Sequence, residues 1–440
     1  MTLARLLLLT AVLPALAAAQ AAPAAPAPGT PTARVVTLEE VIRTAREHQP
    51  QLRQALAATT AAVARSDEAR APLLPQLNAT AYYQRATANS SVPGSIGAGR
   101  PTSWSGTNSW SAGAFLSQTL FDLGAIQRWR SSGATADAQR ATQQATELDV
   151  VANAETAYFT ARAARDLVGV AQDTLTNQEA HLRQVEGFVK VGTHPEIDLA
   201  TARANRANAQ VQLIQARNLY AISLAQLAQA MGLDGPADFE ISSEALPPVP
   251  GEQGPGEPLL AEALAARPEL ASLHAQRSAQ ELTRGAAQAG YLPTLGAQAG
   301  LTQTGPALDT TSPNWSAQLT LSWSLFAGGL TRAQVQEADA NLDAIKAQED
   351  ALRIQVRVDV EQARLQVVAS LAAVDSAAEA LVNAKEQLRL AEGRYQAGAG
   401  SIIELGDAQV AATSAGAQKV QADFSLASAR AKLLRALGRT

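Results

Sequence analysis

Residues Trp315–Leu325 read WSAQLTLSWSL, and the next four, Phe326–Gly329, read FAGG. On an extended chain Trp315, Ala317, Leu319, Leu321, Trp323 and Leu325 fall on one side, and Ser316, Gln318, Thr320, Ser322 and Ser324 on the other. The segment is therefore expected to be a strand with one apolar and one wet face. Past Gly329 come about sixty-five residues without a proline. In them Leu352, Val356, Val360, Ala363, Val367, Leu371, Val374, Ala378 and Leu381 advance by threes and fours, the stripe of a single helix. At 1.5 Å per residue that helix is about 100 Å long, more than a compact domain holds.

The same order is written twice. QPQL (Gln49–Leu52) matches RPEL (Arg267–Leu270), and LPQL (Leu74–Leu77) matches LPTL (Leu292–Leu295), both at a shift of 218. LFDLG (Leu120–Gly124) matches LFAGG (Leu325–Gly329) at 205, and Gly192 matches Gly398 at 206. The lost residues belong to a Ser-, Gly- and Asn-rich loop, Ala86–Asn108, whose second copy, Gly305–Asn314, is shorter. The remaining strands follow Pro75 through Ala79, Ala81 and Tyr83, and Pro293 through Ala297, Ala299 and Leu301. A weaker alternation sets Trp110, Ala112, Ala114 and Leu116 against Ser111, Gly113 and Ser117.

Each strand runs to roughly the 9–11 residues a tilted transmembrane strand needs. A soluble sheet alternates in the same way, but Trp104, Trp110, Trp315 and Trp323 all gather at these hairpins, as an interfacial girdle would. Four strands cannot enclose a lumen, because even about eight leave an interior that side chains fill. Several copies would have to pool their strands.

Each long helix ends at a short turn, VGTHP (Val191–Pro195) or QAGAGS (Gln396–Ser401), and an alanine-rich helix of about thirty-six residues follows. The chain doubles back. That return helix of about 54 Å, stacked on a helix of about 30 Å from Gln51 to Arg70, nearly matches the long one, which suggests a cylinder walled by helical pairs.

The rest of the 440-residue composition agrees with a thin, extended molecule: 47% apolar residues, much of it alanine, but 4% aromatic. Arg5, the apolar run Leu6–Leu16 and Ala17-Ala18-Ala19 read as a secretory signal over 1–19. No later segment is expected to be apolar enough to span a membrane as a helix. Absence of cysteine removes disulfides and a lipidated cysteine, and a net charge of −5 without a basic block gives a nucleic-acid partner no support. The chain divides into the signal (1–19), a Pro/Ala-rich linker (20–36), a first repeat (37–233), an equatorial connection (234–257) and a second repeat (258–440).

TLEEVIRTAREHQPQL (Thr37–Leu52), LLPQL and YLPTL, LFDLG and LFAGG, VGTHPEIDLATAR (Val191–Arg203) and YQAGAGSIIELGDAQ (Tyr395–Gln409), in this order and largely paired, resemble the TolC family of outer-membrane efflux and secretion ducts. The resemblance covers Thr37 to Gly438. It implies a mainly α protein with membrane β: a homotrimer whose protomers give four strands each to a 12-stranded barrel, continued by a long α-helical barrel. It implies an exit duct in a tripartite efflux or type I secretion system, set in outer-membrane lipid, gripped by a periplasmic adaptor and joined through it to an inner-membrane pump. No enzymatic activity and no cofactor are implied.

The positions matching the family's periplasmic constriction are Asp198, Tyr395, Glu404 and Asp407. Those matching its adaptor-contacting tip turns are Val191, Gly192, Thr193, Leu199, Gly398, Ala399 and Leu405. Gly400 stands where the family often has arginine, which calls a gate-locking ion pair there into question. Acids in a first helical turn also have a plainer reason, the positive end of the helix dipole; in a trimer they would form a ring attracting cations.

His48, His181, His194 and His274 show neither metal-ligand spacing nor a catalytic arrangement. His194, in a tip turn, is either a surface residue or an acid-sensitive gate element. The competing function is a periplasmic coiled-coil spacer or adaptor without a pore, which should show one helical hairpin between β-rich domains rather than two hairpins alternating with two strand pairs.

Overall fold

The computed structural model describes residues 34–87, 106–193 and 195–439. In chain order these form β1 (Arg34–Val36), α1 (Leu38–His48), α2 (Pro50–Arg70), β2 (Gln76–Thr87), β3 (Gly106–Phe121), α3 (Leu123–Lys190), α4 (Glu196–Ala230) and β4 (Phe239–Ile241). The order then recurs in α5 (Gly256–Ala266), α6 (Pro268–Gln288), β5 (Thr294–Gly305), β6 (Ser312–Ser322), α7 (Leu330–Gln396) and α8 (Ile402–Leu437). The expected signal, residues 20–33 of the linker, Trp104, most of the Ala86–Asn108 loop and His194 lie outside the described residues.

Local chemistry sets the boundaries. The Thr37 hydroxyl accepts the Glu40 amide at 3.3 Å and starts α1. Gln49 ends it in an extended conformation because a proline follows, and Pro50 opens α2 where its missing N–H costs nothing. Arg267 and Pro268 repeat the device between α5 and α6. Asp122 caps α3 by accepting the Ala125 amide at 2.9 Å. α7 starts instead from Gly328 and Gly329, whose φ of 62° and 86° glycine alone adopts without strain.

With 68 and 67 residues, α3 and α7 are each about 100 Å long. α3 lies against α2, α4, α6 and α8, and α7 against α6 and α8. Nearly half of the buried positions on α3 are alanine, among them Ala136, Ala141, Ala145, Ala154, Ala161, Ala164 and Ala171, which lets neighbouring helices come close. On α7, Val356, Val360 and Val367 of the expected stripe are fully buried.

One membrane-span expectation needs correction. α7 contains an 18-residue window with mean hydropathy 1.5, of which 11% is buried. The stretch Leu365–Val382 (LQVVASLAAVDSAAEALV) is apolar on more than the face turned to α8: Val367 is buried while Leu365, Val368 and Val382 are exposed. The helix is more than three times the ~20 residues of a span and packs lengthwise on α8, and its extra apolar face is exposed in the single chain.

The four long strands form an antiparallel sheet in the order β2-β3-β5-β6. Register puts Leu77, Ala79, Ala81 and Tyr83 opposite Leu116, Ala114, Ala112 and Trp110. Ala114 and Leu116 face Leu301 and Ala299, which in turn face Trp315 and Ala317. One apolar face therefore crosses all four strands. The other carries Asn78, Thr80, Ser111, Ser117, Gln298, Thr302, Ser316 and Gln318, interrupted by Phe115, which lies over Gly300 where a Cβ would sit 2.7 Å from its ring. Neither face has a core: Trp315 is 77% exposed and Leu319 65%. The expected alternation through Leu325 stops at Ser322, because the chain turns toward Gly328; Trp323 instead donates its indole N–H to the Tyr291 carbonyl at 3.0 Å.

Between the halves, β1 pairs in parallel with β4 over three residue pairs, too few to leave a period in the sequence. The following segment is bolted to the helices. Tyr158 donates to the Ser242 carbonyl at 3.0 Å, Arg165 to that of Ile241 at 2.6 Å, and buried Arg430 grips buried Glu252 through two bonds of 2.7 and 3.0 Å.

Candidate constriction at the tip of the helices

About 100 Å from the sheet the two helical hairpins turn through equivalent loops. Gly192 and Gly398 have φ of 77° and 71°. Around each, the preceding helix ends in a Schellman arrangement: the Thr193 amide reaches the Phe188 carbonyl at 3.0 Å, and the Ala399 amide that of Arg394 at 2.9 Å. Only a residue without a Cβ takes that backbone cheaply, which is why both copies have glycine.

Of the expected tip-contact positions, Val191, Gly192, Thr193, Gly398 and Ala399 are exposed, and Leu199 is half-buried. Leu405 is turned inward, 2% exposed, because the two hairpins need an apolar floor where they meet. It packs there with Val185, Ala202, Ala391, Tyr395 and Ala408. Tyr395 is likewise inside the protomer, also 2% exposed, with its ring 5.2 Å from that of His181 and 6.3 Å from that of Phe188. Burial lowers the pKa of His181 and raises that of Tyr395; the Asp198 charge opposes the first shift and adds to the second.

Glu404 and Asp407 share a face of α8, three residues apart, while Leu405 and Ala408 point into the protomer. Glu404 is not isolated. Arg394 Nη1 meets its Oε1 at 2.8 Å, and Arg394 Nη2 reaches the Ala399 carbonyl at 3.4 Å. Asp407 is exposed, and among the described residues no cation pairs with it. At Gly400 an added Cβ would lie 3.0 Å from the Tyr395 amide nitrogen and 3.2 Å from the Arg394 carbonyl carbon, a tight fit that the backbone would have to yield by a few tenths of an ångström to accept.

Above the tip, α3 and α8 are joined by a polar ladder. Thr174 and Thr413 hydroxyls lie 3.0 Å apart, and Gln178 Nε2 donates to Gln409 Oε1 at 2.8 Å. Both glutamines are buried, and among the described residues Gln178 Oε1 has no hydrogen-bond partner. The ladder borders a cleft of about 400 Å³ that also meets Asp173, Lys385 and Lys419.

Arg394 and the ladder were not singled out from the sequence. Arg394 could have been found by pairing positions across the hairpin, since it precedes Gly398 by as much as Phe188 precedes a turn residue in the other copy; the ladder joins two helices far apart in the chain and leaves no local signal.

Residues 41–233 and 259–439 match the family described as outer membrane efflux protein. The chain is 27% identical over 394 residues to the outer membrane protein TolC of Escherichia coli, covering 84% of this chain and 76% of TolC. It is 27% identical over 320 residues to the toluene efflux pump outer membrane protein TtgI of Pseudomonas putida, covering 69% and 64%. Among solved structures it resembles the CmeC outer membrane channel of Campylobacter jejuni, with TM-score 0.80, 21% identity and coverage of 91% and 85%. The outer membrane protein VceC of Vibrio cholerae superimposes with TM-score 0.78 at 18% identity, covering 91% and 96%.

Proposed function

The chain belongs to the outer membrane efflux protein family, and from that premise we propose that three copies close their sheets into one twelve-stranded barrel whose helical walls form a periplasmic duct. The protein is an outer-membrane exit channel. It conducts passively, receiving cargo from a periplasmic adaptor and an energised inner-membrane pump in tripartite efflux or type I secretion. The toluene efflux pump named for TtgI supports the pump partnership.

A single observation carries the reading: a sheet with one apolar face, one polar face and two open edges. In lipid each unpaired backbone group costs several kcal/mol, so β2 and β6 must each find a strand, and only another copy offers one of matching length and pattern. The exposed apolar positions on α4 (Val211, Ile214, Ile222) and α7 (Ile354, Leu365, Val368) support the same joint along the tunnel. Three copies leave a central space that a closed eight-stranded barrel lacks.

Asp198, Glu404 and Asp407 then line or border the narrow end, and the exposed turns at Gly192 and Gly398 present the surface for the adaptor. Tyr395 acts from within, holding the two hairpins together. The chain has no cysteine, so Ala81→Cys on one edge strand and Ala317→Cys on the other give a clean cross-linking test with a bifunctional thiol reagent in membranes. The double variant should give dimers and trimers and nothing larger. Monomers alone, or an open ladder of higher species, would contradict the closed trimer.

A further inference from the structure

The two hairpins are related by a shift of 206 residues, which equates Asp198 with Glu404 and Phe188 with Arg394. In the first hairpin the ring of Phe188 packs against Tyr395 inside the tip. In the second the same position carries a guanidinium that turns outward and holds Glu404 at 2.8 Å. The Arg394 carbonyl also accepts the amides of Ala399 and Gly400 at 2.9 and 3.0 Å. Its backbone thus builds the turn, while its side chain answers the acid across it. Residue 400 is a glycine and offers no side chain of its own, and the cation that meets Glu404 comes from the helix before the turn.

We propose that Arg394 sets the charge of the constriction by cancelling Glu404 within each protomer, so that Asp407 is the acid of this hairpin that meets permeating cations. The inference rests on the duct reading given above. An exposed ion pair of this kind adds little stability, but an opposite charge at contact distance removes most of the field that Glu404 would project into a water-filled pore. Asp407, one turn further along the same face, has no such partner among the described residues.

The test is single-channel current in a planar bilayer, with block by hexaamminecobalt(III), an ion that reads charge without taking up carboxylate ligands. Three carboxylates acting on a trivalent ion across a narrow pore shift its half-blocking concentration by about tenfold at ordinary salt. Asp407→Asn should weaken block by about that factor, and Glu404→Gln by less than about twofold. Arg394→Gln, which uncovers Glu404, should tighten block by about tenfold. Arg394→Lys and the double variant R394Q/E404Q should both return it to the wild-type value, which a purely structural role for the arginine would not do.

Loss of block in Glu404→Gln equal to that in Asp407→Asn would overturn the proposal, as would unchanged block in Arg394→Gln. If Arg394→Gln fails to assemble, the comparison of Glu404→Gln with Asp407→Asn decides alone. A wild-type protein that passes no current would refute the duct itself, an outcome distinct from wild-type current with the wrong order of variants.

Discussion

Ala317 and Gln318 are neighbours in the chain and opposites in the proposed barrel. Ala317 is the central residue of β6, stands opposite Ala299 and belongs to the apolar face. Gln318 stands opposite Gln298 on the polar face and donates to Thr320 at 3.0 Å. An arginine at the midplane of a lipid-facing strand costs about 2–4 kcal/mol, and one in a wet lumen costs little. Ala317→Arg should therefore destabilise the barrel by about 2–4 kcal/mol per strand, roughly 6–12 kcal/mol per trimer, whereas Gln318→Arg should be close to neutral. The assay is the urea midpoint of the heat-modifiable oligomer in lipid vesicles, together with the fraction recovered in the outer membrane. Equal effects of the two substitutions, or a larger one for Gln318→Arg, would show that the sheet is not a membrane wall.

Burial lifts the Glu155 carboxyl to about 7, with Arg46 pulling the other way, so the folded chain holds a proton that the unfolded chain releases near 4.5. Stability from this group is complete below about 4.5 and lost as pH rises to about 7, by about 3 kcal/mol per protomer; chemical denaturation across that range should show a slope that Glu155→Gln abolishes, and an unchanged slope in the variant would assign it elsewhere. Tyr395→Ala empties the junction of the hairpins and should cost about 3 kcal/mol locally, read as faster hydrogen exchange at the tip with the sheet unaffected; equal acceleration in both places would refute a local role. Gln409→Ala strands the Gln178 amide and should cost about 1–3 kcal/mol, while replacing both glutamines by leucine should cost less, as thermal unfolding of the assembled protein can check.

The parts of this fold written in the sequence are those governed by one short period repeated many times. The alternation from Trp315 to Leu321 fixed a strand and its two faces, and the valine stripe from Val356 to Val367 fixed the face of α7 turned to α8. What escaped depends on contacts between distant residues. β1 and β4 are three residues each and stabilised by one another, so neither shows a pattern alone. Leu325 continued the alternation by identity, yet the backbone was already turning toward Gly328.

The tip was legible in part. Turn glycines are forced by positive φ and could be placed from spacing, whereas the inward rotation of Leu405 and Tyr395 follows from the packing of α3, α4, α7 and α8, which no single helix encodes. Arg394 escaped for a related reason. Its meaning lies in a carboxylate ten residues away across a turn, and a sequence pattern that marks acids does not mark what neutralises them.

The most direct measurement is the current carried by the purified mature protein in a planar lipid bilayer, taken with the mass of the detergent-solubilised particle. A particle of three chains that opens stable, discrete conductance steps is the expected result. A single chain that stays dispersed in buffer without detergent and leaves the bilayer silent would contradict it.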